Sequence, residues 1–253
     1  MERPVLEVDG KVLPLPPRDL LFMNETWESF PKNGAGLLAL GTRVLQLRGR
    51  PVIDIGCGFG RIAYALAAKG YRGNYWGADV LAPQINWLQS NLSPVLPNYE
   101  FHHFDAMNDR YNASGKLETE DFRIDRRYAS PDAIFVLSVF THMYEADVIT
   151  YLKEIVSVMD EKSVIYATFF LSNGESRRLE SLKQSSYPMK YVLNDHCSYF
   201  NADDPLHAIS FDEIWLREVL AELGLHTAAA FYGTWAGRKS VLSFQDSLFL
   251  MKA

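Results

Sequence analysis

The chain has 253 residues, 48% hydrophobic and 22% charged, an ordinary globular composition for one large α/β domain or two small ones. A chain this long buries roughly three quarters of its unfolded surface, so neither a disulfide nor a structural metal is needed for stability. The formal net charge of −6 argues against a phosphate backbone as main partner, because nucleic-acid binders carry a basic face.

The start, Met1-Glu2-Arg3-Pro4, has no apolar leader segment. The longest apolar runs, Ala133 to Val139 and Val164 to Leu171, are well short of the about 20 residues a membrane span takes. Cys57 and Cys197 have no metal-ligand spacing and read as reduced thiols. A cytoplasmic protein is expected, with monomer and homodimer both open.

Residues 1–36 form a Pro-bearing lead-in whose aromatics, Phe22, Trp27 and Phe30, either cover a ligand as a lid or pack into the core. The regular pattern follows within residues 37–253. Val52-Ile53-Asp54-Ile55 is a short strand ending at Gly56. Ile62, Ala63, Leu66 and Ala67 then make a helical stripe closed by Gly70. Tyr75 to Ala78 is a second strand, and Pro83 opens a helix burying Ile85, Leu88 and Leu92. Tyr99 to Phe104 is a third. The polar stretch 106–131 is an insertion, long enough to be functional or to carry an element of its own. Ala133 to Phe140 is nearly all apolar, as a central parallel strand buried on both faces requires. Val148, Leu152, Ile155 and Met159 mark a helix, and Val164 to Leu171 a fifth strand. A second insertion spans about 172–209. Ser210-Phe211-Asp212-Glu213 has the capping-box pattern, with Ser210 as N-cap of a helix burying Phe211, Ile214, Trp215 and Val219. Two last strands, about His226 to Tyr232 and Val241 to Met251, form an antiparallel hairpin.

Strands alternating with helices imply a mostly parallel sheet covered on both faces, with ligands bound beyond the carboxyl ends of its strands. After the first strand comes Gly56-Cys57-Gly58-Phe59-Gly60-Arg61. Its glycines let the backbone turn tightly and approach a ligand, and the helix that follows points free N–H groups at an anion. The dinucleotide fingerprint needs a third glycine where Arg61 stands, so a nicotinamide or flavin site fits poorly. Asp79 ends the second strand, where a carboxylate can accept both ribose hydroxyl protons of a nucleoside, with Val80 beside it. Asp105 and Ala106 follow the third strand, placed to contact an adenine, or to serve only as loop residues.

Val52 to Arg61, with Asp79 and Asp105 at these spacings, resembles the class I S-adenosylmethionine-dependent methyltransferases over roughly residues 50–251. Ser138-Val139-Phe140-Thr141-His142-Met143 resembles the fourth-strand motif of a bacterial small-molecule and glycan-associated subgroup. The resemblance implies an α/β, Rossmann-like seven-stranded sheet of order 3-2-1-4-5-7-6, with the last strand antiparallel. It implies S-adenosylmethionine as cofactor, held by Asp54, Gly56, Cys57, Gly58, Gly60, Arg61, Asp79, Val80, Asp105, Ala106, Ser138 and Phe140.

Methyl transfer needs the acceptor held at the methyl carbon and, for a hydroxyl, its proton removed. His142 is the first candidate for that base, with a loop-orienting role as the alternative. In the second insertion His196 and Tyr199, and at the hairpin tip Trp235 with Arg238, are candidates for binding the acceptor. Asp203-Asp204 could hold Mg2+, but adjacent acids more often make a solvated turn and no metal is assigned. Gln245-Asp246 is unusual in a buried strand and suits a tie between the hairpin and a neighbouring loop. The fourth strand lacks the Pro-Pro-aromatic element of relatives acting on planar amines and amides. The favoured reaction is therefore O-methylation of a sugar, glycan or small natural product. N- or C-methylation, and a non-catalytic binding protein keeping the fold, are the alternatives.

Overall fold

The computed structural model describes residues 4–8, 10–18, 21, 25–239 and 242–253. The lead-in forms an antiparallel hairpin, β1 (Val5–Val8) and β2 (Lys11–Pro14), followed by helix α1 (Ser29–Gly41). Helix α1 lies so close to the next helix that a Cβ on Gly34 would fall well inside 3.0 Å of the Arg61 carbonyl oxygen. Trp27 donates from Nε1 to the Pro16 carbonyl at 2.9 Å, and Phe30 meets Tyr64 edge-on at 5.5 Å between ring centroids. These two aromatics pack into the body of the protein, and Phe22 lies outside the described residues.

The alternating segments fold as β3 (Val52–Ile55), α2 (Arg61–Ala68), β4 (Tyr75–Asp79), α3 (Ala82–Asn91), β5 (Tyr99–His103), β6 (Ala133–Val136), α4 (Glu145–Val158) and β7 (Val164–Phe169). A small subdomain follows, comprising β8 (Leu171–Ser172), α5 (Gly174–Ser181), β9 (Tyr191–Val192), β10 (Cys197–Tyr199) and β11 (Ile209–Asp212). Helix α6 (Glu213–Glu222) leads to the final hairpin, β12 (Leu225–Phe231) and β13 (Asp246–Lys252).

The main sheet runs β12-β13-β7-β6-β3-β4-β5, with β13 antiparallel to both its neighbours. This is the order and orientation expected from the sequence. Because side chains alternate across a strand, each face of the sheet has its own core. Ile53, Ile134 and Ile165 pack with α4 and α6, whereas Val52, Phe135 and Tyr166 pack with α1, α2 and α3. At the amino ends of the strands, Arg50 clamps three of them together. Its Nε reaches Asp132 ahead of β6 at 2.9 Å, and its Nη1 reaches Asp160 ahead of β7 at 2.7 Å. Arg50 itself stands two residues ahead of the start of β3.

Four local expectations are corrected. Ser210 and Phe211 are strand residues of β11, which pairs in parallel with β8. The N-cap of α6 is Asp212, whose side chain accepts from the backbone N–H groups of Ile214 and Trp215 at 2.9 and 3.1 Å. Ile214 is exposed rather than buried. The fifth strand stops at Phe169, since the chain leaves the main sheet there and Leu171 joins the small one, of order β8-β11-β10-β9. The final strand begins at Asp246, later than expected. No helix among the described residues is long and apolar enough to cross a membrane.

Candidate active site

Beyond the carboxyl ends of β3, β4 and β6 lies a cavity of ≈ 420 Å3. The turn leaving β3 forms one side. Gly56, Gly58 and Gly60 have φ of 72°, 55° and 82°, a region that residues with a Cβ reach only at a cost. At Gly56 the need is steric as well, because a Cβ there would fall well inside 3.0 Å of Val139 Cγ2. The turn thus lies directly against the loop that follows β6.

Asp79 fixes the turn from the neighbouring strand. One carboxylate oxygen accepts from Gly58 N at 2.8 Å and the other from Leu81 N at 2.9 Å. Burial pushes this carboxyl above the usual range, opposed by the backbone bonds. Each oxygen keeps lone-pair capacity for a further donor. Gln84 completes the wall with Oε1 buried and without a hydrogen-bond partner among the described residues. A buried acceptor in that state is an invitation to a ligand donor. Arg61, also on the wall, is ion-paired with Glu25 at 3.3 Å.

The loop after β6 forms the facing side. Ser138 adopts φ 57° without being glycine, a conformation that persists only when its surroundings impose it. Its N–H donates to Thr168 Oγ1 at 2.7 Å and its hydroxyl to Gln245 Oε1 at 2.9 Å. Gln245 Nε2 donates on to Thr141 Oγ1 at 3.4 Å, so the final hairpin does hold the loop, as its unusual polarity suggested. His142 ends the turn and lines the cavity. Its Nδ1 lies 2.9 Å from the Leu206 carbonyl, an acceptor only, so Nδ1 carries the proton and Nε2 is the basic nitrogen. Desolvation by burial lowers the pKa of this imidazole, keeping it neutral at neutral pH.

The first insertion supplies residues that sequence reasoning did not single out. Asn108, Arg110 and Tyr111 all line the cavity. The Tyr111 ring meets His142 edge-on at 5.5 Å, and the Arg110 guanidinium lies 5.4 Å from the centre of the Tyr111 ring. Arg110 is ion-paired with Asp204 of the second insertion. The available signal was an arginine beside an aromatic in a long segment following a strand's carboxyl end.

Of the residues expected at the cofactor, Gly56, Gly58, Arg61, Asp79, Val80 and Ser138 line the cavity. The others are not among its lining residues. Asp54 is buried and accepts from the Tyr75 hydroxyl at 2.6 Å, its carboxyl pushed up to about 7 by burial. Cys57 and Phe140 are buried, and Gly60 is the N-cap of α2. Asp105 accepts from Asn112 Nδ2 at 2.9 Å, and Ala106 pairs with Leu117, so both brace the first insertion.

The residues expected at the acceptor are likewise elsewhere. His196 stacks on Trp215 and Tyr199 on Tyr191, each pair 5.4 Å apart. Trp235 is buried and donates to Asp246 Oδ2 at 2.7 Å, while Arg238 reaches Glu175 at 2.8 Å and Asp246 at 3.4 Å. Asp246 also accepts from Leu171 N and Gly233 N, which makes Trp235 and Arg238 part of a buried strut. Asp204 serves Arg110, and among the described residues no group of three or more His, Cys, Asp or Glu is arranged to hold a metal.

A family model described as a methyltransferase domain matches residues 25–207. Solved structures share the fold at low identity. Magnesium protoporphyrin IX methyltransferase from Synechocystis PCC 6803, with S-adenosylmethionine bound, is 16% identical at a TM-score of 0.50, over 89% of this chain and 79% of that one. A 1,6-didemethyltoxoflavin-N1-methyltransferase from Burkholderia thailandensis, with S-adenosylhomocysteine bound, is 15% identical at a TM-score of 0.54, over 90% and 80%. The CcbJ methyltransferase from Streptomyces caelestis is 12% identical at a TM-score of 0.56, over 87% and 89%.

Proposed function

The chain belongs to the methyltransferase-domain family, as an S-adenosylmethionine-dependent enzyme of class I, and from that premise we propose that it methylates a hydroxyl oxygen on a sugar or small natural product, with His142 as general base. The observation that carries this reading is the orientation of His142. A proton fixed on Nδ1 by the Leu206 carbonyl leaves Nε2 as the basic nitrogen of a cavity-lining residue.

The wall residues suit the cofactor. Asp79 offers a remaining lone pair on each oxygen to paired hydroxyls, and Gln84 Oε1 offers an unfilled acceptor. The glycine turn provides backbone with no Cβ in the way, and Arg61 a cation for a carboxylate. When bound, S-adenosylmethionine supplies the electrophilic methyl group.

His142 takes the acceptor's hydroxyl proton onto Nε2, and the bond from Nδ1–H to Leu206 stabilises the imidazolium that results. Burial lowers its pKa, so the side chain waits in the basic form. Apolar wall residues such as Leu137, Val139 and Met143 keep water from the methyl group.

The test is transfer of a labelled methyl group to a panel of hydroxylated sugars and small natural products, with the product located by mass spectrometry. His142→Ala is expected to lower turnover by about 10²-fold or more, with S-adenosylhomocysteine affinity nearly intact. A label found on nitrogen or carbon, or near-normal turnover of the variant, would refute the proposal.

A further inference from the structure

We propose that Arg110 is a specificity residue that binds an acid group on the acceptor, so that the preferred substrate is a hydroxy acid: a sugar acid or an aromatic hydroxy acid. The inference rests on the reading of this cavity as the methyl-transfer site. Two arginines line the cavity. Arg61 belongs to the glycine turn and is paired with Glu25. Arg110 stands on the side of His142: both neighbour the Tyr111 ring, the guanidinium 5.4 Å and the imidazole 5.5 Å from its centre. An acceptor with its hydroxyl at His142 and an acid group across one ring would bring that acid to Arg110.

The guanidinium suits that task. Its central carbon lies 5.4 Å from the centre of the Tyr111 ring, and the rigid fork of guanidinium N–H donors matches a carboxylate in bidentate fashion. The ion pair to Asp204 uses a single terminal nitrogen. Asp204 is not a wall residue and its side chain is 35% exposed. It is therefore a resting counter-ion that an incoming carboxylate can displace, at the cost of re-exposing an acid already close to water. An aromatic with an arginine, the combination expected at Trp235 and Arg238 for binding the acceptor, lines the cavity here as Tyr111 with Arg110.

The test uses two matched pairs, glucuronate with glucuronamide and 4-hydroxybenzoate with 4-hydroxybenzamide, titrated calorimetrically into the protein saturated with S-adenosylhomocysteine. The expected result is at least tenfold tighter binding of the acid in one pair or both. Arg110→Gln should abolish that preference, and Arg110→Lys should keep part of it. Asp204→Asn should strengthen acid binding several-fold, because the competing carboxylate is gone. A purely structural pair predicts the reverse, with Asp204→Asn weakening binding as Arg110→Gln does. No binding of either acid, equal binding of acid and amide, or a preference that survives Arg110→Gln would overturn the inference. Failure of S-adenosylhomocysteine itself to bind would instead overturn the reading of the cavity on which it rests.

Discussion

Replacing Gly56 by alanine tests the contact between the two loops that face each other across the cavity. Two separable costs follow from the structure. Holding a residue with a Cβ at φ 72° costs roughly 1–2 kcal/mol. The new Cβ also collides with Val139 Cγ2, and overpacking of this kind typically costs about 1–3 kcal/mol. The total, roughly 2–5 kcal/mol, corresponds to a fall of roughly 4–20 °C in Tm for a chain of this size. It should be accompanied by weaker S-adenosylhomocysteine binding, since relief of the clash moves the glycine turn or the loop carrying His142. Val139→Ala removes Cγ2 and thereby separates the two costs. In the double variant the steric part should be recovered and the backbone part should persist, giving a coupling energy of about 1–3 kcal/mol between the two sites. The assay is a denaturant-unfolding cycle on the four proteins, with ligand calorimetry alongside. Additivity within about 0.5 kcal/mol, or an undiminished Tm for Gly56→Ala, would show that the close approach does not constrain the site.

Asp79→Ala removes the acceptor for Gly58 N and Leu81 N and should weaken S-adenosylhomocysteine binding by about 1–3 kcal/mol; unchanged affinity by calorimetry would remove Asp79 from the site. The rate of methyl transfer should fall as pH drops through a value below the ordinary imidazole pKa, because burial lowers that of His142 and only its neutral form accepts a proton; an acid limb centred at or above the ordinary value would contradict this. Asp54 has its folded-state pKa raised to about 7. Its stabilising contribution is therefore complete below the ordinary carboxylate range and is lost as pH rises toward 7. Asp54→Asn, uncharged throughout, should gain thermal stability over the wild type as pH rises from about 4 to 7, and a pH-independent difference in Tm would refute the assignment.

The sheet was legible because parallel strands buried on both faces announce themselves as apolar runs, as in Ala133 to Val136. The glycine turn was legible because its backbone demands are written in single residues. Local signatures failed where a distant partner decided the outcome. Ser210 and Glu213 have capping-box spacing, yet pairing of Phe211 with Leu171 claims Ser210 and Phe211 for a strand, and the cap passes to Asp212. Trp235 and Arg238 resemble a ligand-binding pair until Asp246 is seen to hold both. Asp105 had the right offset for an adenine contact, but Asn112 folds back onto its carboxylate. Arg110 is illegible for the opposite reason. Nothing adjacent in sequence brings it to His142; the first insertion must close over the β6 loop before the two share a wall.

Arg50 gives this architecture an asymmetry with evolutionary weight. It anchors β3, β6 and β7 from their amino ends, on the rim opposite the chemistry. The alignment of these strands is thus set independently of whatever sits at their other ends. Cavity-facing residues such as Asn108, Arg110 and Tyr111 can be exchanged for a new acceptor without loosening this clamp, whereas Phe122, Ile124 and Tyr128 of the same insertion are buried in the core and the Pro131 carbonyl accepts from Arg50 itself. A scaffold moored at one margin leaves its opposite margin free to diversify.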